Sequence, residues 1–315
     1  MSTIFTWSGR DDPEDGSDAL RWHHVITANP PKQHLTLLGF PCDIGVARNK
    51  GRTGAAEAPD VLRAALANLA WHGHGSIADA GDIDIVLGGH DPLADAQLNL
   101  SNMISGILDT KSKALVIGGG HETAAGSFHG LHNHLKDSSK TIGILNLDAH
   151  FDIRLIGESG ISSGTPFTQI RQTLQECEQE FHYLVLGIAE GGNTKALFDR
   201  ADDWGVDYML DKDVTVANIA SVFKTIDAFL SKIDVLYLTL DLDVLPHWQM
   251  EAVSAPSACG VDISVIETII EHIRKSSVNW PLSDVVEFNP SLDTNGNSAR
   301  TAARLIDRIA REMSF

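Results

Sequence analysis

Cysteine is scarce in this chain. Cys42, Cys177 and Cys259 are the only three among 315 residues, and no two of them stand in a CxxC spacing. That excludes a disulfide framework or a zinc knuckle and predicts free thiols in a reducing, cytoplasmic setting. Long apolar runs are missing as well: no stretch approaches the ~20 residues that cross a bilayer. The N-terminus carries Asp11, Asp12, Glu14 and Asp15 where a secretory signal would be basic and then apolar. A soluble protein with no membrane partner is expected. Positive charge is in short supply, with 24 Lys and Arg against 42 Asp and Glu and a formal net charge of −18. Such a balance repels phosphate backbones and anionic lipid, so no nucleic acid is expected as a partner. Internal repeats and low-complexity segments are absent too.

A core, by contrast, is well supplied. Hydrophobic residues make up 43% of the chain, which excludes global disorder and suits one large α/β domain or two smaller ones. Residues 1–33 are polar, acidic and broken by glycine and proline, and they read as an N-terminal arm with a short helix near 19–26. From 34 to 315, short apolar runs rich in branched residues alternate with helical periodicity. Strands are predicted at 35–40, 77–83, 114–117, 141–145, 183–188, 207–210, 234–240 and 282–288. Helices are predicted at 59–70, 91–108, 123–135, 167–180, 196–204, 219–230, 261–274 and 298–309. No composition break suggests a linker. The expected fold class is α/β, a single doubly wound domain around a central, mostly parallel sheet.

Chemistry gathers where three of these strands end. The run 141–145 (TIGIL) leads into Asp148, His150 and Asp152. In an extended chain, side chains at i, i+2 and i+4 leave on one side, so these three converge if the strand continues to Asp152. The run 234–240 (DVLYLTL) ends in Asp241 and Asp243, and 114–117 ends in Gly118-Gly119-Gly120-His121. The carboxyl ends of parallel strands are where open α/β sheets hold ligands. Four carboxylates brought together repel one another unless cations lie between them, and two divalent ions would balance them. Histidine and carboxylate without thiolate suit Mn2+ or Zn2+, and the oxygen-rich balance favours Mn2+. A two-metal hydrolytic site is the reading.

Other features read more plainly. The glycine triplet lacks the third glycine of a dinucleotide fingerprint, because Thr123 stands there. His129, His132 and His134 have no interleaved carboxylates and read as a solvated helix face. The segment 43–59 (DIGVARNKGRTGAAEAP) is rich in glycine and small residues and reads as a loop that rims the strand-end face.

Taken together, G-G-G-H at 118–121, D-A-H-F-D at 148–152, D-L-D at 241–243 and E-F-N-P at 287–290 resemble the ureohydrolase superfamily, which includes arginase, agmatinase and formimidoylglutamase. The resemblance spans nearly the whole chain. It implies an arginase-like fold and two Mn2+ per subunit, with His121, Asp148, His150, Asp152, Asp241 and Asp243 as ligands. Asp148 and Asp241 would bridge the ions. His121 and Asp152 would complete one, and His150 and Asp243 the other. It further implies that water held between the metals attacks an amidine-type carbon, that Glu287 pairs with the substrate's cationic nitrogens, and that Asp152 carries the proton to the leaving amine. A homo-oligomer acting on a small amidine substrate is the expected state.

Within the superfamily the formimidoylglutamase branch is the most similar. Arg154 follows the D-A-H-F-D box as it does there, and W-S-G-R-D-D-P-E-D-G (7–16) and R-N-K-G-R-T-G-A (48–55) look like that branch. Ser163, in S-G-T-P-F, stands where arginases and agmatinases carry histidine and is taken as a substrate-binding position. An arginine fork at 154 suits a substrate carboxylate. The expected reaction is hydrolysis of N-formimino-L-glutamate to L-glutamate and formamide, as in histidine degradation. The alternatives are a guanidino-acid or agmatine ureohydrolase and, outside enzymes, a metal-dependent assembly or regulatory protein.

Overall fold

The computed structural model describes residues 5–27, 34–88 and 91–314. The branched apolar runs form one sheet of β1 (Ile26–Thr27), β2 (Leu35–Gly39), β3 (Ile77–Asp82), β4 (Lys113–Ile117), β5 (Ile142–Leu147), β6 (His182–Ile188), β7 (Asp207–Leu210), β8 (Val235–Asp241) and β9 (Asn279–Val286). Their spatial order is β1-β3-β2-β4-β9-β8-β5-β6-β7, and every neighbouring pair is parallel. Parallel neighbours need crossover connections, and helices must then cover both faces. Alternate side chains of the central strands serve the two faces. Leu37, Leu115, Leu145 and Leu238 pack with α3 (Ala58–Ala67), α8 (Ile219–Leu230), α9 (Ile263–Lys275) and α10 (Asn297–Met313). Leu38, Val116, Ile144 and Tyr237 pack with α4 (Pro92–Asp109), α5 (Thr123–His134), α6 (Pro166–Glu176) and α7 (Lys195–Trp204). The doubly wound α/β domain is thus realised, with a sheet that is parallel throughout.

Register explains why the chemistry collects in one place. Ile117 of β4 lies opposite Val285 of β9, Val285 opposite Leu240 of β8, and Leu240 opposite Leu147 of β5. These four strands are contiguous in the sheet, and their ends form a level row. His121, Glu287, Asp241 and Asp148 each follow within one to four residues of that row.

The start of the chain packs onto the domain. The short helix α1 (Trp22–Val25) buries Trp22 completely, and its indole N–H donates to Asp307 Oδ1 at 2.8 Å. Trp71 meets that ring edge-on at 5.3 Å, and β1 adds an edge strand beside β3. Trp7 donates to Asp79 Oδ2 at 2.8 Å. Residues 1–4 and 28–33 of the arm lie outside the described residues. The segment read as a loop over 43–59 is more ordered than expected, since it holds the short helix α2 (Ile44–Arg48) and a 3-10 turn at Ala55–Glu57.

The α5 histidines do not form a merely solvated face. His129 is half-buried and bonds Thr173 Oγ1 of α6 at 3.0 Å, while His132 stacks on Phe128 and bonds Gln179 Oε1 at 2.9 Å. Burial, followed by the charge of His132, pushes the His129 pKa down to about 4. An unfolded histidine titrates near ~6.5, so the unfolded chain takes up this proton first. His129 therefore contributes stability above pH ~6.5 that is lost as pH falls toward 4, by at most about 3 kcal/mol. Urea unfolding from pH 7 to pH 4 is expected to show a shallower decline for His129→Gln than for the wild type. Parallel declines would overturn this account.

Candidate metal centre

The site begins in the glycine triplet. Gly119 passes so close to the end of β2 that a Cβ there would sit 1.9 Å from the Cys42 carbonyl oxygen, and only glycine fits. Its own carbonyl accepts the Glu287 N–H at 2.8 Å, and the His121 N–H donates to Glu287 Oε1 at 2.8 Å. The triplet therefore joins the ends of β2, β4 and β9, a packing role in place of phosphate binding.

His121 projects into the centre. Its Nδ1 lies 3.1 Å from Asp148 Oδ2, 3.1 Å from Asp152 Oδ2 and 3.1 Å from Asp241 Oδ2. On the other side of the ring, Nε2 stands 3.1 Å from Thr239 Oγ1. A second group adjoins the first, with His150 Nδ1 2.9 Å from Asp243 Oδ2 and 3.7 Å from Asp148 Oδ1. Asp148 belongs to both groups, whereas Asp241 gathers with His121. All six expected ligands are therefore brought together.

They arrive by a different route from the one expected. β5 stops at Leu147, and the chain beyond it is not extended, because Asp152 adopts a left-handed φ of 48°. Convergence comes instead from carboxylates that catch backbone N–H groups. Asp148 Oδ1 accepts from His150 N at 2.6 Å, Asp241 Oδ1 from Asp243 N at 2.8 Å, and Asp243 Oδ1 from Ala149 N at 3.3 Å. Each aspartate is thereby oriented by one oxygen while the other faces the cluster. Asn193 adds support by accepting from Phe151 N at 3.1 Å and donating to the Ala149 carbonyl at 2.9 Å.

The donor set fits divalent ions. His121 Nδ1 is buried and has no hydrogen-bond partner, although three carboxylate oxygens surround it. With a proton on Nε2 toward Thr239, the Nδ1 lone pair points at the space those oxygens share. Metal bonds of about 2.0–2.2 Å set neighbouring ligand atoms roughly 2.8–3.1 Å apart, the spacing seen here. The electrostatics agree. Burial disfavours the cationic form of His121, yet the adjacent carboxylates of Asp148, Asp152 and Asp241 outweigh it and hold its pKa well above the ordinary value. Burial and then the charges of Asp243 and Asp148 push Asp241 well up. Such a cluster calls for positive charge.

Above it lies a cleft of about 490 Å³ lined by Asp152, Asp241, Asp243 and Glu287 together with Arg154 and Ser163. Glu287 is 6% exposed, has a left-handed φ of 70°, and is pushed up to about 8 by burial and then by the neighbouring Glu122. Arg154 is exposed within the cleft, and its guanidinium forms no ion pair among the described residues. Ser163 is buried and accepts from Asn49 Nδ2 at 3.2 Å. Glu190, in the loop after β6, is exposed and lies 4.0 Å from Lys212.

Several supporting residues escaped the sequence reading. Thr239 and Asn146 precede Asp241 and Asp148 by two positions, and Asn146 Nδ2 donates to Asp148 Oδ2 at 2.8 Å. Strand alternation alone could have flagged both. Asn289 of E-F-N-P donates to the carbonyls of Arg52 and Thr53 at 3.0 and 2.9 Å, tying the 48–54 segment to the loop that carries Glu287. Nothing in the local sequence signals that long-range contact.

Comparison with known proteins extends these findings. The model of the arginase family matches residues 33–311. A formimidoylglutamase from Aeromonas hydrophila is 46% identical over 309 residues, covering 97% of this chain and 96% of its own. One from Hahella chejuensis is 44% identical over 316 residues, covering 98% and 95%. Among solved structures, formiminoglutamase from Trypanosoma cruzi with Mn2+ superposes with a TM-score of 0.81 at 22% identity, over 94% of this chain and 99% of that one. With its four strand-end motifs gathered on one parallel sheet and a family match over nearly its whole length, the chain belongs to the arginase family.

Proposed function

We propose that this chain hydrolyses N-formimino-L-glutamate to L-glutamate and formamide at a centre of two Mn2+ ions per subunit. One observation carries the choice of substrate: the cleft above the carboxylate–histidine cluster contains the uncommitted guanidinium of Arg154. A cationic substrate such as agmatine would be repelled there, whereas a dicarboxylate amidine is attracted. Relatives that are 44–46% identical and named formimidoylglutamase support the reading.

Bound divalent ions would offset the carboxylate repulsion and lower the pKa of a coordinated water. His121, Asp148, Asp152 and Asp241 would hold one ion, and Asp148, His150 and Asp243 the other. Arg154 fixes a substrate carboxylate through paired N–H donors. Glu287, buried and without a basic side-chain partner among the described residues, receives the amidinium and orients its carbon over the cluster. Ser163 shapes the wall where the substrate chain enters. As water oxygen bonds to that carbon, Asp152 takes the released proton and passes it to the departing glutamate nitrogen while the C–N bond breaks. The water oxygen stays with the formamide, and its second hydrogen leaves as the carbonyl forms, so that glutamate departs as its ammonium. The reading takes the enzyme as a cytoplasmic homo-oligomer, in keeping with three thiols that form no disulfide.

A panel of N-formimino-L-glutamate, agmatine, L-arginine and 4-guanidinobutyrate, assayed for formamide and for urea, decides the matter. Formamide from the first compound, with kcat/KM at least about 100-fold above the others, is expected. Urea release as the dominant activity would overturn the substrate assignment and favour the guanidino-acid reading.

A further inference from the structure

The end of α2 and the segment after it carry three cations, Arg48, Lys50 and Arg52, and they are not used alike. Arg48 is committed to Asp91, with Nη2 2.8 Å from Oδ1, and to the Ile161 carbonyl at 3.1 Å. Arg52 is committed to backbone, donating to the carbonyls of Ser254 and Val253 at 3.1 and 2.7 Å. Lys50 forms no ion pair among the described residues, yet it lines the same cleft as Arg154, Asp152 and Glu287.

Its backbone is unusual as well. Lys50 has a left-handed φ of 64°, a region in which a Cβ is strained and glycine is favoured. Two hydrogen bonds fix it there, from Lys50 N to the Ala47 carbonyl at 3.0 Å and from Gly51 N to the Val46 carbonyl at 2.8 Å. A side chain kept at such a position, at the edge of a catalytic cleft, calls for a use of that side chain. The Lys50 segment also meets the Arg154 segment. A Cβ on Gly164 would lie 2.8 Å from Arg154 Cδ and 3.1 Å from Nδ2 of Asn49, the residue before Lys50. Two cations, carried by separate but adjoining segments and without ion pairs among the described residues, thus line one acidic cleft.

We propose that Lys50 is a second carboxylate anchor and a specificity-determining residue, so that Lys50 and Arg154 each hold one of two carboxylates on a single substrate. This rests on the formimidoylglutamate reading and deepens it: the cleft selects a dicarboxylate, and one anchor alone does not suffice. The ammonium serves as a point charge where Arg154 supplies a fork.

Lys50→Gly is the informative variant, because it removes the ammonium while relieving the backbone. Its thermal stability and its Mn2+ content should match or exceed those of the wild type. On N-formimino-L-glutamate, KM should rise by about 10- to 100-fold, with kcat changed less. Two truncated substrates separate the anchors, N-formimino-4-aminobutyrate lacking the α-carboxylate and N-formimino-2-aminobutyrate lacking the γ-carboxylate. The Lys50→Gly penalty should vanish on one of them and the Arg154→Ala penalty on the other. Equal penalties of Lys50→Gly on all three substrates, or none on the parent, would overturn the inference. Calorimetric titration of the Mn2+-loaded protein with glutarate and with butyrate needs no turnover. Glutarate should lose about 10-fold in affinity on Lys50→Gly, and butyrate less. Undiminished glutarate binding would overturn the role of Lys50 even in an active enzyme. Lys50-dependent glutarate binding by a protein that does not hydrolyse N-formimino-L-glutamate would sink the functional reading and leave the dicarboxylate site standing.

Discussion

Asp148→Ala protein reconstituted with excess Mn2+ is expected to hold well under one equivalent of metal, against about two for the wild type, and to lose at least about 10³-fold in turnover. The reason lies in the shared position of Asp148, whose two oxygens face the His121 group and the His150 group. Asp243 belongs only to the second group, so Asp243→Ala should retain close to one equivalent. Thr239→Val leaves every ligand in place but removes the acceptor that orients His121 Nε2. A milder cost, about 10- to 100-fold in metal affinity, is expected for it. Stability supplies an independent reading. Burial opposes ionisation of Asp148, yet His121 and His150 hold its carboxyl below the usual range, and His150 N and Asn146 Nδ2 donate to it, so deleting Asp148 should lower the melting temperature of the metal-free protein. Added Mn2+ should then raise the melting temperature of the wild type and not of the variant. Two equivalents of metal retained by Asp148→Ala would contradict the shared-ligand geometry.

How far these properties could be read from sequence depends on the distance over which each is encoded. The alternation of branched apolar runs with helical periodicity is local, and it marked eight of the nine strands; β1, two residues long at the sheet edge, carries too little pattern to be seen. The six residues proposed as metal ligands were legible because they follow strands directly, and a parallel sheet brings strand ends together whatever the crossovers do. The path of the chain through Asp148, His150 and Asp152 was not legible. Strand periodicity predicts a common side, but the turn that unites them depends on side-chain capture of backbone N–H groups and on a left-handed Asp152. Trp22 shows the same limit at the start of the chain: its acidic flanks read as a free arm, whereas its partner Asp307 stands 285 residues away. Lys50 escaped notice because a lysine in a glycine-rich loop gives no sign of its φ.

Arg154→Ala is expected to lower kcat/KM on N-formimino-L-glutamate by about 30- to 1000-fold, equivalent to roughly 2–4 kcal/mol, while both metals stay bound. The guanidinium lines the cleft without an ion pair among the described residues, so its removal strands no buried partner there. The whole cost should therefore appear on substrate. The backbone around Arg154 is fixed independently of the side chain, its N–H donating to the Gly164 carbonyl at 2.9 Å and its carbonyl accepting from Thr168 Oγ1 at 2.8 Å. Folding and metal content are accordingly expected to survive the substitution. Arg154→Lys should recover only part of the loss, because a single ammonium does not reproduce two parallel N–H donors. Gly164→Ala offers a test that leaves the charge in place. Its new methyl would sit 2.8 Å from Arg154 Cδ and displace the arginine stem, so it should reproduce part of the Arg154→Ala loss as a raised KM. Arg154→Ala that retains full activity on N-formimino-L-glutamate would remove the carboxylate anchor from the account, although the binuclear centre beneath it could stand. If Gly164→Ala were harmless while Arg154→Ala was severe, the arginine would be acting through its charge alone and not through a fixed geometry.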